Sequence, residues 1–435
     1  MRGAGRYVAL LGAALFGLVA CEREATTPAS KKPNLVLIVI DTLRPDRLPF
    51  YGHSGPTAPF LDELSEKSLV FSRAHSTSSW TAPAMASLFL SLHPFQHGMH
   101  LASLSPDGKN FDIRVLPESV PSLPESLKAV GYRTFAVTDN QNVSEPPGFA
   151  RGFDRFFSTH YQSAAAVNET LLRWRDDILS GEPYFLYVHY MDPHLPYNGR
   201  EPWYGRDPAS GSDDEVTDAL ARYDSEIRYA DEHIAELFAA FGWGEGTVVI
   251  VTSDHGEEFG EHGGEQHGRT LHAEVLDVPL LMYAPAQFPD GRRIDRRVSI
   301  IDVAPTFLDL AGHPGEPTYV GTSLRPDAAW SGERSIYSQL ITESGKSRRR
   351  SEVRGVIRGR YKLLDHQSGA DELFDLQADS AETQSILDDH PDLGAELAAE
   401  LEAEVSSVPR FEPGTARIPL DSKKIEKLKA LGYAE

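Results

Sequence analysis

An unbroken apolar run, Leu35-Val36-Leu37-Ile38-Val39-Ile40, ends at an aspartate, Asp41. Six aliphatic residues without polar alternation describe a strand covered on both faces, which is the setting of a parallel sheet. Thr247-Val248-Val249-Ile250-Val251 repeats the pattern and leads into Thr252-Ser253-Asp254-His255-Gly256. Tyr184-Phe185-Leu186-Tyr187-Val188 is a third such run, leading into His189-Tyr190-Met191-Asp192-Pro193-His194. Shorter strands are expected over residues 134–138 and 279–283. Amphipathic helices are expected over 58–70 (Leu61, Leu64, Leu69), 124–130 (stopped by Gly131), 219–241 (Ile227, Ala230, Ile234, Leu237) and 299–311. Strands alternating with helices predict an α/β fold with a mainly parallel central sheet. In such sheets ligands bind beyond the carboxyl ends of the strands, where Asp41 and Asp254 stand.

The character changes after about Gly312. Strands are expected over 334–340 and 353–365, with a hairpin turn at Gly359, followed by an acidic amphipathic helix over 392–405. A large domain over 33–315 and a smaller C-terminal α+β domain over 316–435 follow from this. The N-terminus is organised differently. Met1-Arg2-Gly3-Ala4-Gly5-Arg6 is basic, and the apolar run 7–20 has the length of a signal-peptide core. It ends in Leu18-Val19-Ala20-Cys21, and Cys21 is the only cysteine in the chain. That ending resembles the lipobox of bacterial lipoproteins. The expectation is a signal peptide over 1–20, an acylated Cys21 and a polar tether over 21–32. No thiol then remains for a disulfide, a metal or catalysis. The net charge of −22 argues against a nucleic acid partner, because phosphate backbones are bound by a surplus of Lys and Arg.

One stretch supplies a hydroxyl. In Ser78-Ser79-Trp80-Thr81-Ala82-Pro83-Ala84-Met85, Thr81 precedes a proline suited to a helix's first turn, and an apolar helical run follows to Leu92. Thr is a common N-cap, so a purely structural role accounts for it too. Placed at a helix mouth, its oxygen would also sit where backbone N–H groups favour negative charge. Asp41, Thr81, Asp254 and His255 together form a coherent divalent-metal set. Carboxylate with imidazole suits Zn²⁺ or Mn²⁺ more than the oxygen-seeking Ca²⁺. Metal binding lowers a hydroxyl pKa and readies it for attack. His194, His262 and His267 belong to loops expected on the same side of the sheet. They are candidates to bind the transferred group, protonate a leaving group or hold a second ion.

The chain resembles the sulfatase family of the alkaline phosphatase superfamily. The resemblance rests on Ile40-Asp41-Thr42-Leu43-Arg44-Pro45-Asp46, the Thr81 block ending His97-Gly98, and Gly148-Phe149-Ala150-Arg151-Gly152-Phe153-Asp154. It continues with His189-Tyr190-Met191-Asp192-Pro193-His194 and with Ser253-Asp254-His255-Gly256-Glu257-Glu258-Phe259-Gly260-Glu261-His262-Gly263. Val278-Pro279-Leu280, Glu372-Leu373-Phe374-Asp375-Leu376 and Leu428-Lys429-Ala430-Leu431-Gly432-Tyr433 complete it. The resemblance implies an alkaline-phosphatase-like large domain with a metal at the sheet edge and a smaller C-terminal domain. It implies Asp41, Thr81, Asp254 and His255 as ligands of one or two ions, Thr81 as nucleophile, and His194, His267 and His262 near the substrate; Asp46 reads as structural.

The departures point the same way. Family sulfatases carry Cys-x-Pro-x-Arg or Ser-x-Pro-x-Arg, whose first residue becomes formylglycine; here Thr81 bears a β-methyl and Met85 replaces the arginine. The usual Asp-Asp and Asp-Asn pairs read Asp41-Thr42 and Asp254-His255. Lipoteichoic-acid synthases and nucleotide pyrophosphatases, which use Thr, look similar at these points. The expectation is a metal-dependent hydrolase or transferase of phosphate or sulfate esters, with phosphoester or phosphodiester favoured. Its substrate would be a small molecule, a glycan or a lipid, and the protein would be held by its lipid anchor in a bacterial cell envelope. A formylglycine-free sulfatase and a non-catalytic surface-anchored binding protein are the competing expectations.

Overall fold

The computed structural model describes residues 1, 31–100, 103–104, 110–328, 332, 334–344 and 349–419. The expected signal segment 1–20, Cys21, the tether through residue 30 and the terminal block 428–433 lie outside the described residues.

The Asn34–Ile40 strand stands in the middle of a nine-stranded sheet. Tyr184–Tyr190 and Thr247–Thr252 flank it, both parallel to it. Arg133–Thr138 and then Arg155–Ser158 extend the sheet in parallel on one side. On the other side Leu280–Tyr283 runs antiparallel to both Thr247–Thr252 and Leu69–His75, and Arg292–Ser299 joins the last in parallel. The sheet is therefore mainly parallel, as the apolar runs predict.

Burial on both faces explains those runs. Leu35, Leu37 and Val39 pack with Phe185, Tyr187, Val248 and Ile250 in the core that also takes up Ala84, Met85 and Leu88 of the Thr81–Leu90 helix. Val36, Ile38 and Ile40 point the other way, toward Ile227, Ile234 and Leu237 of the Glu215–Phe241 helix and Val167 and Leu171 of Ala164–Leu179.

Two sequence expectations are corrected and three elements are added. The helix expected over 58–70 is Pro59–Ser65, and Leu69–His75 is a strand. Leu69, Val70 and Phe71 form a consecutive apolar trio, all buried, which suits a two-sided strand rather than a helix stripe. The helix expected over 299–311 starts with a 3-10 turn, Ile300–Asp302, before Val303–Leu310. The strands Arg155–Ser158 and Arg292–Ser299 carry no strong periodic signal and were not expected; the Ala164–Leu179 helix, also not expected, buries Val167, Leu171, Trp174 and Ile178 at helical spacing, a readable signal.

The C-terminal part is the expected α+β unit. Ile336–Ser344, Arg349–Arg358, Tyr361–His366 and Glu372–Asp375 form an antiparallel sheet turning at Gly359. The Pro391–Ser407 helix covers one face through Leu397, Leu401 and Val405. The other face packs Leu340, Val353, Leu364 and Phe374 against Trp80 and Leu271, so this sheet buttresses the residue just before Thr81. Gly414–Pro419 returns to pair with Asn110–Val115. Among the described residues no helix is long and apolar enough to cross a membrane.

Candidate active site

Asp41 is the first residue past the central strand, and Asp254 and His255 follow the neighbouring strand by two and three residues. Parallel pairing of those strands brings the two ends together. Asp41, Thr81, Asp254 and His255 are all fully buried. The turn after Asp41 is held in an uncommon conformation. Thr42 has φ of 56°, a left-handed value that a β-branched residue rarely adopts. Its N–H donates to Asp254 Oδ1 at 3.3 Å and its carbonyl accepts from Tyr223 Oη at 2.6 Å, which keep it there.

Thr81 opens the Thr81–Leu90 helix, and Trp80 occupies the preceding cap position without a side-chain cap bond. The Thr81 hydroxyl is free of the capping role and lies 3.3 Å from His255 Nε2 and 3.4 Å from Asn140 Nδ2. The His255 ring is set by its other nitrogen: Nδ1–H donates to the Gly256 carbonyl at 2.9 Å, which leaves the Nε2 lone pair toward Thr81. Met85, standing where the resemblance has an arginine, is buried in the core and brings no charge to the site.

Two residues that the sequence reading did not single out complete the group. Asn140 Nδ2 donates to Asp41 Oδ2 at 2.5 Å, and His189 Nε2 lies 3.1 Å from the same oxygen. Tyr187 Oη meets His189 Nδ1 at 2.6 Å. His189 is the last residue but one of a buried strand, opposite Val39 of the strand that Asp41 follows, and a histidine in an otherwise buried run was the available signal. Asn140 follows the Arg133–Thr138 strand, where a lone amide reads as a turn former.

Ligand atoms of Asp41, His189 and Asp254 lie within 4.8 Å of one another. Asp41 Oδ1 and Asp254 Oδ2 are buried without any hydrogen-bond partner. Buried carboxylate oxygens are costly to leave unpaired, and a cation between them satisfies both. This donor set fits a divalent ion, with Thr81 and His255 beside it. The electrostatics agree. Burial alone would raise the Asp41 carboxyl, but the His189 hydrogen bond and the charges of His194 and His255 hold it well below the usual carboxylate range. Burial and the Asp41 charge push Asp254 up. Burial opposes a charged His255, yet Asp254 and Asp41 outweigh it and raise its pKa.

The structure also brings His194 and His267 here. The His267 ring lies 4.4 Å from the His255 ring and 5.0 Å from that of His194. Its Nδ1 meets Glu257 Oε1 at 2.8 Å. Burial and His255 push His267 down to about 3, and burial pushes Glu257 up to about 7. His262 is elsewhere, a correction to the sequence reading. It sits at the turn joining Glu258–Phe259 to Glu265–Gln266, with Nδ1 2.8 Å from Glu274 Oε1 and Nε2 3.0 Å from the Glu382 carbonyl. Both contacts hold its ring against Glu274 and Glu382. Asp46 is salt-bridged to Arg44 at 2.8 Å and mostly exposed, a structural role.

Comparison with known proteins agrees with the fold. A family model described as Sulfatase matches residues 33–313, and one described as N-sulphoglucosamine sulphohydrolase, C-terminal, matches 260–409. The chain is 23% identical to a Delta 4,5-hexuronate-2-O-sulfatase of Bacteroides thetaiotaomicron, over 86% of this chain and 88% of that one. It is 24% identical to the phosphoethanolamine transferase EptC of Escherichia coli, over 64% of this chain and 50% of that one. The phosphonate monoester hydrolase of Agrobacterium radiobacter superposes with a TM-score of 0.70 at 18% identity, covering 86% of this chain and 96% of that one. With residues 33–313, well over half of its length, under the family model, the chain belongs to the sulfatase family.

Proposed function

We propose that this protein is a metal-dependent hydrolase or transferase that cleaves phosphoesters or phosphodiesters, in preference to sulfate esters, through Thr81. The observation that carries the reading is the Thr81 hydroxyl, uncapped, 3.3 Å from His255 Nε2 and next to two buried carboxylates with orphaned oxygens. Asp41, Asp254, His255 and Thr81, with His189 alongside, would hold the ion. The imidazole content favours Zn²⁺ or Mn²⁺ over Ca²⁺. Bound there, such an ion supplies a lowered hydroxyl pKa and a positive charge for the developing oxyanion.

The protein's own groups do the rest. Asn140 orients Asp41 and Thr81 together, and the Thr81 and Ala82 N–H groups that open the helix would face the anionic oxygens of a bound ester. Thr81 gives its hydroxyl proton to solvent as Oγ1 attacks the phosphorus; the ester oxygen departs with a proton from His267 Nε2, which Glu257 replaces by passing its own proton to Nδ1. A second attack, by water or another hydroxyl, releases the group. A Thr ester lacks the second hydroxyl through which a formylglycine hydrate expels sulfate, so this release step favours phosphoryl transfer.

Sulfate ester hydrolysis is the second reading, favoured by relatives such as the hexuronate sulfatase. Purified protein assayed with matched aryl phosphodiester, phosphate and sulfate separates the two, with Thr81→Ala as control. Thr81-dependent sulfate turnover above both phosphate activities would overturn the proposal. Lipid anchoring in a bacterial envelope through Cys21 is part of the same proposal. Mass spectrometry of membrane-extracted protein tests it, and a mature N-terminus other than acylated Cys21 refutes it.

A further inference from the structure

A second group of metal-binding side chains lies apart from Thr81. His262, His272 and Glu274 each offer one ligand atom, and these atoms lie within 4.8 Å of one another. His262 stands at the turn of the short hairpin, His272 precedes the Ala273–Leu276 turn, and Glu274 is within that turn. Glu372, on the first strand position of Glu372–Asp375, faces them from the C-terminal sheet, with Oε2 3.6 Å from His272 Nε2.

Two contacts there call for a ligand. The first is His262. Its Nε2 donates to the Glu382 carbonyl at 3.0 Å, so its Nδ1 faces Glu274 Oε1 at 2.8 Å with only a proton or a cation able to bridge them. A ring N–H given to a backbone carbonyl is the arrangement that commonly fixes a metal-ligating histidine. The second is His272. It is 7% exposed, and neither of its ring nitrogens has a hydrogen-bond partner. Its ring lies on that of His262, with centroids 3.8 Å apart and planes 7° from parallel. Leaving such a buried nitrogen unpaired is destabilising.

We propose that His262, His272 and Glu274 form a zinc site, with the Glu372 carboxylate as fourth ligand. Two imidazoles with carboxylates suit Zn²⁺. Tetrahedral bonds near 2 Å put ligand atoms about 3.3 Å apart, so the His262–Glu274 contact opens by about 0.5 Å to admit the ion. The ion joins three parts of the chain: the hairpin turn, the Ala273–Leu276 turn and the C-terminal sheet. The Glu274 and Val275 carbonyls accept from the N–H groups of Glu257 and Gly256 at 3.0 Å each. The clamp therefore holds the backbone beside His255 and Glu257, a structural role for the catalytic loop.

The test is metal content. Full-length protein is stripped with chelator, dialysed against Zn²⁺ and counted by elemental mass spectrometry. His272→Phe and Glu274→Gln should each hold one equivalent fewer than the wild type. The Asp41→Asn/Asp254→Asn double variant should keep that equivalent, melt higher with added Zn²⁺, and lose that rise when His272→Phe is added. If His272→Phe fails to fold by circular dichroism, Glu274→Gln, which keeps the shape of the turn, decides. Wild-type zinc content in folded Glu274→Gln overturns the site. A double variant that retains the full wild-type count would instead refute the Asp41 centre and leave this one standing.

Discussion

Asp254→Asn should stabilise the protein when metal is withheld and destabilise it, relative to wild type, when metal is present. Asp254 Oδ1 accepts from the Thr42 and His255 N–H groups at 3.3 and 3.0 Å, and an asparagine oxygen keeps both bonds. The change falls on Oδ2, which is buried and unpartnered. In its place an amide N–H faces Asp41, with His255 Nε2 3.4 Å from the present oxygen. The ligand oxygens of Asp41 and Asp254 are within 4.8 Å. Two unit charges at that separation repel by about 3.5 kcal/mol at an effective dielectric of 20. His189 and His255 offset part of it, so about 1–2 kcal/mol remains to be gained.

Over 435 residues the unfolding entropy is about 0.9 kcal/mol/K, so that gain raises the melting temperature by about 2 °C. A metal at a thousand times its Kd adds about 4 kcal/mol to the wild type, or about 4–5 °C, and nothing comparable to the variant. The difference in melting temperature should change sign between chelator and saturating Mn²⁺ or Zn²⁺. It should also widen with pH in chelator. The folded-state pKa of Asp254 is raised, by burial first and then by Asp41, so wild type is most stable below the unfolded carboxylate range and loses stability as pH rises through the raised value. The asparagine does not titrate. Differential scanning calorimetry at several pH values, with and without metal, measures all of this. A variant that melts below wild type in chelator would refute the reasoning, because the two carboxylates would then not be frustrating one another.

Glu226 is buried and its carboxyl is pushed up to about 8, by burial first and then by Asp192, so wild-type stability should fall as pH rises from about 5 to 9 and Glu226→Gln should flatten that fall in a thermal series. Gly268 has φ of +75° and an added Cβ would stand 2.3 Å from Trp80 Cε3; Gly268→Ala should displace the residue before Thr81, shift tryptophan emission and lower turnover about a hundredfold. Lys362 is buried and lies 2.8 Å from both oxygens of Glu382; Lys362→Met should cost about 3–5 kcal/mol in denaturant unfolding, most of it recovered in Lys362→Met/Glu382→Leu.

The parts of this molecule legible in its sequence are those where one physical cause dominates. Residues 35–40 and 247–251 are apolar without interruption because cores press on both faces. Once those strands are placed, chain order alone puts Asp41 and Asp254 at one edge. Thr81 was readable because helix, proline and hydroxyl coincide. Legibility fails where neighbours in sequence diverge in space. His262 and His267 share a loop with Asp254, and proximity along the chain assigned both to one site. The hairpin between Glu258 and Gln266 separates them, delivering His267 to His255 and turning His262 toward Glu274 and the C-terminal sheet. Legibility fails again where a functional residue looks like its surroundings. His189 hides in a buried strand and Glu257 in an acidic loop, and each acquires meaning only from a partner: Asp41 at 3.1 Å, His267 at 2.8 Å. Charges that answer one another across a fold leave no local trace. The sequence therefore marks the ligands that end strands, while the groups that tune them emerge only from packing.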